Sequence, residues 1–374
     1  MENRLDAIKG AAILLIVANH LRKFLPYSMV YAQLVLPQST PSVSDLIAPL
    51  LDLKYLVFVV PGMISGLGYQ GAHLFLIASG FGLTLSFLRK GIQLRRWYLR
   101  RAERILPMYW LSLVILLVLF LYYSDEPRTR ILTAFVLQVL CVHILVPAFF
   151  HGFLINAPHW FIGLLFQFYL FFPLLVKLFK RWKPLQIFLL SVLITAIVRL
   201  IGLYYLNQFH MRFSVGAVFL CRLAEFVFGM TFAYHIASRP QNWIIFLSRF
   251  AIPFYFFGIL LHCSKPTSAL SDTVIGISLF LFLWSLASYV PSLVLRGIVF
   301  LGRHALGIFI FHSFFIRPAY LLVSQIGIRN NYLMFFCMLL ICVAVGTIVD
   351  MLVARVQGAI FEHLAKSTAP PQKP

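Results

Sequence analysis

The chain consists of long runs of apolar residues separated by short polar stretches. The runs are continuous and do not alternate between apolar and polar positions, which argues against the strands of a membrane β-barrel. A helix of about 20 apolar residues matches the ~30 Å hydrocarbon layer of a bilayer. Such segments occur at Ile8–Leu25, Gly68–Leu88, Ile105–Tyr123, Ile131–Phe150, Trp160–Phe179, Leu185–Tyr205, Ser214–Ile236, Trp243–His262, Ser271–Tyr289, Gly297–Arg317 and Tyr332–Ala354. The pattern predicts an all-α, polytopic bundle of transmembrane helices.

Composition supports a membrane protein. Hydrophobic residues make up 61% of the 374 positions and charged residues 11%, whereas a soluble domain carries about 25% charged residues. The net charge of +20 would suggest nucleic-acid binding in a soluble protein. Here Lys and Arg collect beside apolar segments, which is typical of cytoplasmic loops that face anionic lipid. We therefore expect membrane lipid as a partner and no nucleic acid.

Two basic clusters indicate the orientation in the membrane. One follows the second segment and the other ends the fifth; they comprise Arg89, Lys90, Arg95, Arg96, Arg100, Arg101 and Arg104, and Lys177, Lys180, Arg181 and Lys183. Basic loops face the cytoplasm, and both clusters can do so only if one intervening segment does not fully cross. Ile131–Phe150, which contains Gln138, His143 and Pro147, is the candidate for a tilted or re-entrant element. The prediction is about ten spans, or eleven if this segment crosses, with both termini cytoplasmic.

The domain organisation is simple. Residues 1–360 are predicted to form a single membrane domain, and residues 361–374 are predicted to be a polar, disordered cytoplasmic tail. The five cysteines have no CxxC spacing, so neither a metal site nor a disulfide framework is predicted.

Ionisable residues inside spans cost roughly 2.5–3.5 kcal/mol each and are candidates for function. His20 lies toward the external end of the first span, and its simplest interpretation is an interfacial histidine at a helix end. Lys9 precedes it by about 16 Å of helix, so the two need not touch. Arg222 and Glu225 are spaced to pair on one helix face, for a structural or a catalytic purpose. His312 lies inside its segment, where an inter-helix hydrogen bond is the plainest role.

Three arginines, Arg100, Arg101 and Arg104, occupy a helical turn at the entrance to the third span. As a topology signal they need no further explanation. Guanidinium groups clustered in this way also suit the binding of a polyphosphate. Neither interpretation excludes the other.

Five stretches, in this order along the chain, are similar to sequence blocks of one membrane-enzyme family. They are Leu5 to His20, Gly71–Phe81, Tyr98–Trp110, Trp160 followed by Gln167–Pro173, and Leu301–His312. Together they resemble the acyltransferase-3 family of integral membrane O-acyltransferases. Lys9 stands where that family has an arginine, His73 where it has an aspartate, and Phe166 where it has a glutamate.

The resemblance implies transfer of an acyl group, most often acetyl, from cytoplasmic acyl-CoA to a hydroxyl group of a surface glycan or lipid-linked saccharide. It implies the inner membrane of a bacterium, with acetyl-CoA as a substrate and no bound cofactor. His20 would be the general base, and Lys9 would stabilise negative charge. The resemblance also assigns donor binding to Arg100, Arg101 and Arg104, and a place in the pocket lining to Ser79, Tyr109, Gln167, Tyr169 and His312.

Two other classes of protein are alternatives. A flippase for a lipid-linked glycan would usually show internal repeats and broken helices at matching positions of two halves, and the sequence has neither. A structural or sensory membrane protein is the second alternative, and only the resemblance argues against it.

Overall fold

A computed structural model describes residues 2–25, 44, 56–146, 149, 158–206, 218–238, 242–264 and 266–367. These residues form α-helices and short 3₁₀ or π turns, with no β-strand among them. The α-helices are α1 (Glu2–His20), α2 (Leu56–Gly66), α3 (Gly71–Lys90), α4 (Leu94–Tyr123), α5 (Arg128–Val139), α6 (His159–Arg181), α7 (Pro184–Ile201), α8 (Leu223–Ser238), α9 (Asn242–Arg249), α10 (Ala251–Leu261), α11 (Ser268–Leu286), α12 (Ser292–Arg303), α13 (Ala305–Phe311), α14 (Ile316–Gln325) and α15 (Asn331–Ser367).

Within the described ranges, 8 helical stretches are long and apolar enough to cross a membrane. The prediction of an all-α bundle of membrane helices is therefore confirmed. The predicted count of about ten spans and the cytoplasmic position of both termini stay predictions. Helix α1 is not among the 8, because its first half carries several charged side chains.

Helix α1 is nevertheless enclosed by its neighbours. Ile8, Ala12 and Ile13 are at most 1% exposed. A Cβ atom on Gly10 would meet the backbone of Ile298 in α12, and one on Gly302 would meet the backbone of Asp6. Glycine at both positions lets α1 and α12 approach closely, so α1 lies inside the bundle and not at its lipid-facing surface.

Helices α3 and α8 pack in the same close manner. A Cβ atom on Gly80 would meet the carbonyl oxygen of Phe226, and one on Gly229 would meet that of Ile77. Small residues at such contacts let helix backbones approach within a membrane. The segment around Ser79 and Gly80 thus provides a close-packing surface between α3 and α8.

The prediction of one helix over Trp243–His262 is wrong, because two short helices, α9 and α10, occupy this stretch. Helix α9 ends at Arg249. Pro253, four residues later, has no N–H group to donate to the Arg249 carbonyl, and its ring would clash with that carbonyl. The proline therefore explains where the helix breaks.

The segment predicted as Gly297–Arg317 is also broken. Helix α12 ends at Arg303, and a 3₁₀ turn at His312–Phe315 separates α13 from α14. At the first break Asp350 of α15 accepts hydrogen bonds from His304 Nδ1 at 2.7 Å and from the Gly307 backbone N–H at 3.1 Å. The second of these bonds satisfies one of the free backbone N–H groups that begin α13. Pro318 excludes a regular helix at the second break, because its ring would clash with the carbonyl four residues earlier.

The segment Ile131–Phe150 contains a short helix. Helix α5 has 12 residues, a length of about 18 Å, against the ~30 Å of a hydrocarbon layer. A 3₁₀ turn at His143–Leu145 follows it, so no continuous helix spans the described part of this segment. At the other end of the chain α15 continues through Ser367, so the predicted tail is helical up to that residue; residues 368–374 lie outside the described residues.

A buried group of ionisable side chains joins five parts of the bundle, and we call it the ionic cluster. Its members are His73, Arg199, Arg222, Glu225, His262 and Asp272. Arg222 Nη1 lies 3.0 Å from both Glu225 Oε1 and Asp272 Oδ2. Arg199 also bonds to Asp272. His73 Nδ1 lies 3.1 Å from Glu225 Oε1.

The charges of the ionic cluster balance, with two guanidinium groups facing two carboxylates. This balance matters because a buried charge without a partner is very costly. The predicted pair of Arg222 and Glu225 is confirmed. The sequence did not indicate that Arg199 and Asp272 would join it from α7 and α11.

We predict that Asp272→Asn destabilises the protein by about 3–5 kcal/mol, because it leaves two buried guanidinium groups facing one carboxylate. The measurement is the thermal unfolding temperature of the detergent-purified protein, together with its amount in the membrane. The control is Glu2→Gln, which removes the exposed bond between Glu2 and Arg89 and should leave both quantities almost unchanged. Unfolding of the Asp272 variant at the wild-type temperature would contradict the stabilising role.

Candidate active site

Two histidines from distant parts of the sequence meet at the end of α1. His20 Nδ1 lies 2.7 Å from His312 Nε2. The two rings are stacked, with centroids 4.8 Å apart. His20 is the last residue of α1, and His312 begins the 3₁₀ turn after α13. We call these two residues the histidine pair.

The backbone around His312 determines which ring nitrogen carries its proton. His312 Nδ1 lies 3.0 Å from the carbonyl oxygens of both Ile308 and Phe309. Carbonyl oxygens only accept hydrogen bonds, so Nδ1 is the protonated nitrogen and donates to them. His312 Nε2 then accepts a hydrogen bond from the N–H group at Nδ1 of His20.

This arrangement leaves His20 Nε2 as the unprotonated nitrogen of a neutral imidazole. No described residue donates a hydrogen bond to it. His312 is fully buried, whereas His20 is only partly buried. The geometry therefore presents a nitrogen lone pair that can take a proton, backed by a partner that stays bonded after His20 becomes charged.

Beside the opposite half of α1, a lysine of α1 lies with two arginines of α4 and a tyrosine of α6. We call the group of Lys9, Arg101, Arg104 and Tyr169 the basic end. Lys9 Nζ bonds to Asp6 Oδ1 at 3.2 Å and lies close enough to Arg101 and Arg104 to interact with their charges. The Tyr169 ring lies near the same two arginines. Three of the predicted site residues thus come together with Lys9.

The three arginines at this turn of α4, Arg100, Arg101 and Arg104, differ in their surroundings. Arg101 is half-buried, and its guanidinium lies over the Trp97 ring, 5.8 Å from the ring centroid. Arg104 and Arg100, in contrast, are exposed. The turn of α4 therefore presents guanidinium groups at the surface of the bundle with one of them held against an aromatic ring.

The structure separates Lys9 from His20. They are eleven residues apart along a continuous helix, which corresponds to about 16 Å. Lys9 therefore lies with the arginines at the basic end and not beside the histidine pair. Its cation is placed to act on the part of a ligand that binds at that end.

The remaining predicted pocket residues lie on α3, α4 and α6, and two of them form hydrogen bonds to backbone groups of other segments. Tyr109 donates a hydrogen bond to the Gln138 carbonyl at 3.0 Å. Gln167 Oε1 accepts one from the Phe219 backbone N–H at 3.1 Å. Ser79 is partly buried on α3. The bonds of Tyr109 and Gln167 connect separate segments of the bundle. A role for the three side chains in ligand binding stays a prediction.

Sequence reasoning missed a second polar group beside Tyr109. His159, which is fully buried, places its Nε2 3.2 Å from Ser112 Oγ. Ser112 itself donates to the Tyr109 carbonyl at 2.6 Å. The ring of Tyr109 meets His159 edge-on, with centroids 5.0 Å apart. A histidine at the start of an apolar run was the available signal for this group, as Arg199 and Asp272 inside their runs were for the ionic cluster.

Comparisons with known proteins identify the family. A family model described as an acyltransferase domain matches residues 2–351, nearly the whole chain. The chain is also similar to "Putative acetyltransferase ORF330" of Acidianus two-tailed virus, with 26% identity over 264 residues, or 68% of this chain and 75% of the viral protein. No solved structure matches it significantly. The helices, the ordered sequence blocks and this match agree: the chain belongs to the acyltransferase-3 family, and it is a membrane enzyme that transfers acyl groups.

Proposed function

We propose that this enzyme transfers an acetyl group from cytoplasmic acetyl-CoA to a hydroxyl group of a surface glycan or lipid-linked saccharide, in the inner membrane of a bacterium. The observation that carries the proposal is the arrangement of α1. A base with a defined tautomer lies at one end of this helix, and a group of cations lies at the other.

The reaction begins with His20 Nε2 accepting the proton of the acceptor hydroxyl. The hydroxyl oxygen attacks the thioester carbonyl carbon, and a tetrahedral intermediate forms. Its collapse breaks the carbon–sulfur bond, and the proton held by His20 passes to the departing thiolate. The products are the acyl ester and CoA with a free thiol, so no proton is gained or lost.

His312 supports this proton transfer without taking the proton. It accepts the hydrogen bond from His20 Nδ1 both when His20 is neutral and when it is an imidazolium. A hydrogen bond from a charged donor is stronger than one from a neutral donor. The pair therefore stabilises the charged form of His20, which exists only during the reaction.

The basic end is suited to the nucleotide part of CoA. Phosphate groups pair well with guanidinium and ammonium groups. Lys9, Arg101 and Arg104 supply them at the basic end, and Arg100 adds another on the same turn of α4. In this proposal the basic end faces the cytoplasm, as basic segments generally do. The slender pantetheine arm then extends along α1, over about 16 Å, to bring the thioester to His20.

A deletion strain distinguishes this proposal from the flippase alternative. Loss of an acetyltransferase removes O-acetyl groups and leaves the glycan in place, whereas loss of a flippase removes the glycan itself. NMR of the surface glycan measures both quantities. Loss of the polymer would contradict the proposal.

We predict that His20→Ala lowers acetyl transfer by about 10²–10⁴-fold, the usual contribution of a general base, while the protein stays in the membrane. His312→Ala should cost about ten- to a hundredfold, equivalent to a lost hydrogen bond to a charged group at roughly 1.5–3 kcal/mol. Thiol release from acetyl-CoA by isolated membranes, with their own glycan as acceptor, measures both effects. Wild-type activity of His20→Ala would remove His20 from the reaction.

We predict that replacing Arg101 and Arg104 together by alanine raises the KM for acetyl-CoA about tenfold or more, the loss of one charged hydrogen bond at about 1.5 kcal/mol or above. Added salt should narrow the difference from the wild type, because it screens exposed charges. The control is Arg329→Ala, which removes an exposed guanidinium between α14 and α15. An unchanged KM in the double variant would contradict donor binding at the basic end.

We predict that Lys9→Arg retains activity and Lys9→Met loses most of it, because arginine keeps the cation and can keep the bond to Asp6. The same thiol-release assay measures both variants. A severe loss in Lys9→Arg, with normal amounts of protein in the membrane, would show that a compact ammonium group is required.

A further inference from the structure

The last turn of α1 is tied to the end of α2 by the side chain of Asn19. Asn19 Nδ2 donates hydrogen bonds to the carbonyl oxygens of Ser65 at 3.0 Å and Gly66 at 3.1 Å. Asn19 is only 7% exposed. Both hydrogens of its amide group are therefore used in a buried contact between two helices.

A reciprocal bond closes this contact. Ser65 Oγ donates a hydrogen bond to the Ala18 carbonyl at 2.6 Å, and Ser65 is 1% exposed. The Ala18 carbonyl, in the last turn of α1, accepts this bond in addition to one from the Leu21 backbone N–H. We call Asn19, Ser65 and Gly66 the α1 clamp.

Arg22 completes the orientation of the Asn19 amide. Its Nη1 atom donates hydrogen bonds to the backbone oxygen of Asn19 and to Asn19 Oδ1, each at 3.1 Å. A guanidinium only donates, so Oδ1 must face Arg22 and Nδ2 must face the α2 carbonyls. Each hydrogen-bonding atom of the amide group thus has a defined partner.

The α1 clamp acts immediately beside His20. His20 is the final residue of the helix, and the last turn of a helix tends to fray when nothing holds it. The 2.7 Å distance between His20 Nδ1 and His312 Nε2 requires that this turn stay in place. An error of about 1 Å in the position of a catalytic group can cost about a hundredfold in rate.

We propose that Asn19 is a positioning residue for acyl transfer, which fixes the last turn of α1 so that His20 meets His312. The inference rests on the proposed function of His20. Asn19 itself touches neither the acyl donor nor the acceptor, and it acts through the backbone of the residue that follows it.

The test compares Asn19→Ala and Asn19→Asp with the wild type. Alanine removes both donors, and the isosteric aspartate turns an oxygen towards the two α2 carbonyls. Both variants should lower kcat about ten- to a hundredfold, with the KM for acetyl-CoA changed less than about twofold, because the basic end is about 16 Å away. Thiol release by isolated membranes at saturating acetyl-CoA, corrected for the amount of enzyme, gives kcat.

The matched control is Asn330→Ala. The Asn330 side chain also forms two hydrogen bonds to the backbone, with Oδ1 accepting from the Tyr332 and Leu333 N–H groups at the start of α15, but it lies at an exposed position. This variant should keep the wild-type kcat. If Asn19 variants fail to accumulate, Ser65→Ala provides the milder version, which removes only the reciprocal bond and should lower kcat by about two- to tenfold.

A double variant separates positioning from general stability. If Asn19 acts through the histidine pair, Asn19→Ala should have a smaller effect on kcat in a His312→Ala background than in the wild type. Equal effects in the two backgrounds would overturn the inference, as would a wild-type kcat in Asn19→Ala. Either result leaves the proposed function standing as long as His20→Ala is inactive, so the two failures can be told apart.

Discussion

The constraint that organises this structure is that a bilayer offers no water to polar groups. Each buried polar side chain must find a partner within the protein, and an unpaired one costs several kcal/mol. Asp272 therefore lies between Arg199 and Arg222. For the same reason Asn19 bonds to backbone carbonyls of α2. The polar contacts between helices thus fix the relative positions of helices that apolar packing alone would leave free to slide.

In the proposed function, helix α1 serves two separate chemical tasks. Its glycine contact with α12 holds it inside the bundle, and its length separates Lys9 from His20 by about 16 Å. An ordinary helix is rigid over this distance, so the cationic group at the basic end and the imidazole of His20 can be held at a constant separation. A substrate with a charged head and a reactive group on a long arm matches that geometry better than a compact one does.

The departures from the family pattern are explained in part by their surroundings. His73 lies beside Glu225 and Asp272, which already balance the two guanidinium groups of the ionic cluster. A carboxylate at this position would add a third negative charge to a buried site, which is unfavourable. Lys9 keeps a positive charge where the family has arginine, next to the Asp6 carboxylate. Nothing in the structure explains Phe166 in place of the usual glutamate.

The sequence by itself determined the helical class, because runs of apolar residues of membrane length have few alternatives. It also indicated the pair Arg222 and Glu225, which is local in one turn. The tertiary structure alone decided that His20 meets His312, since 292 positions separate them and apolar periodicity carries no information on which helices become neighbours. It also decided that Asp350 of α15 accepts a hydrogen bond from the start of α13 and that Asn19 bonds to the end of α2. Each of these bonds exists only after the helices have packed.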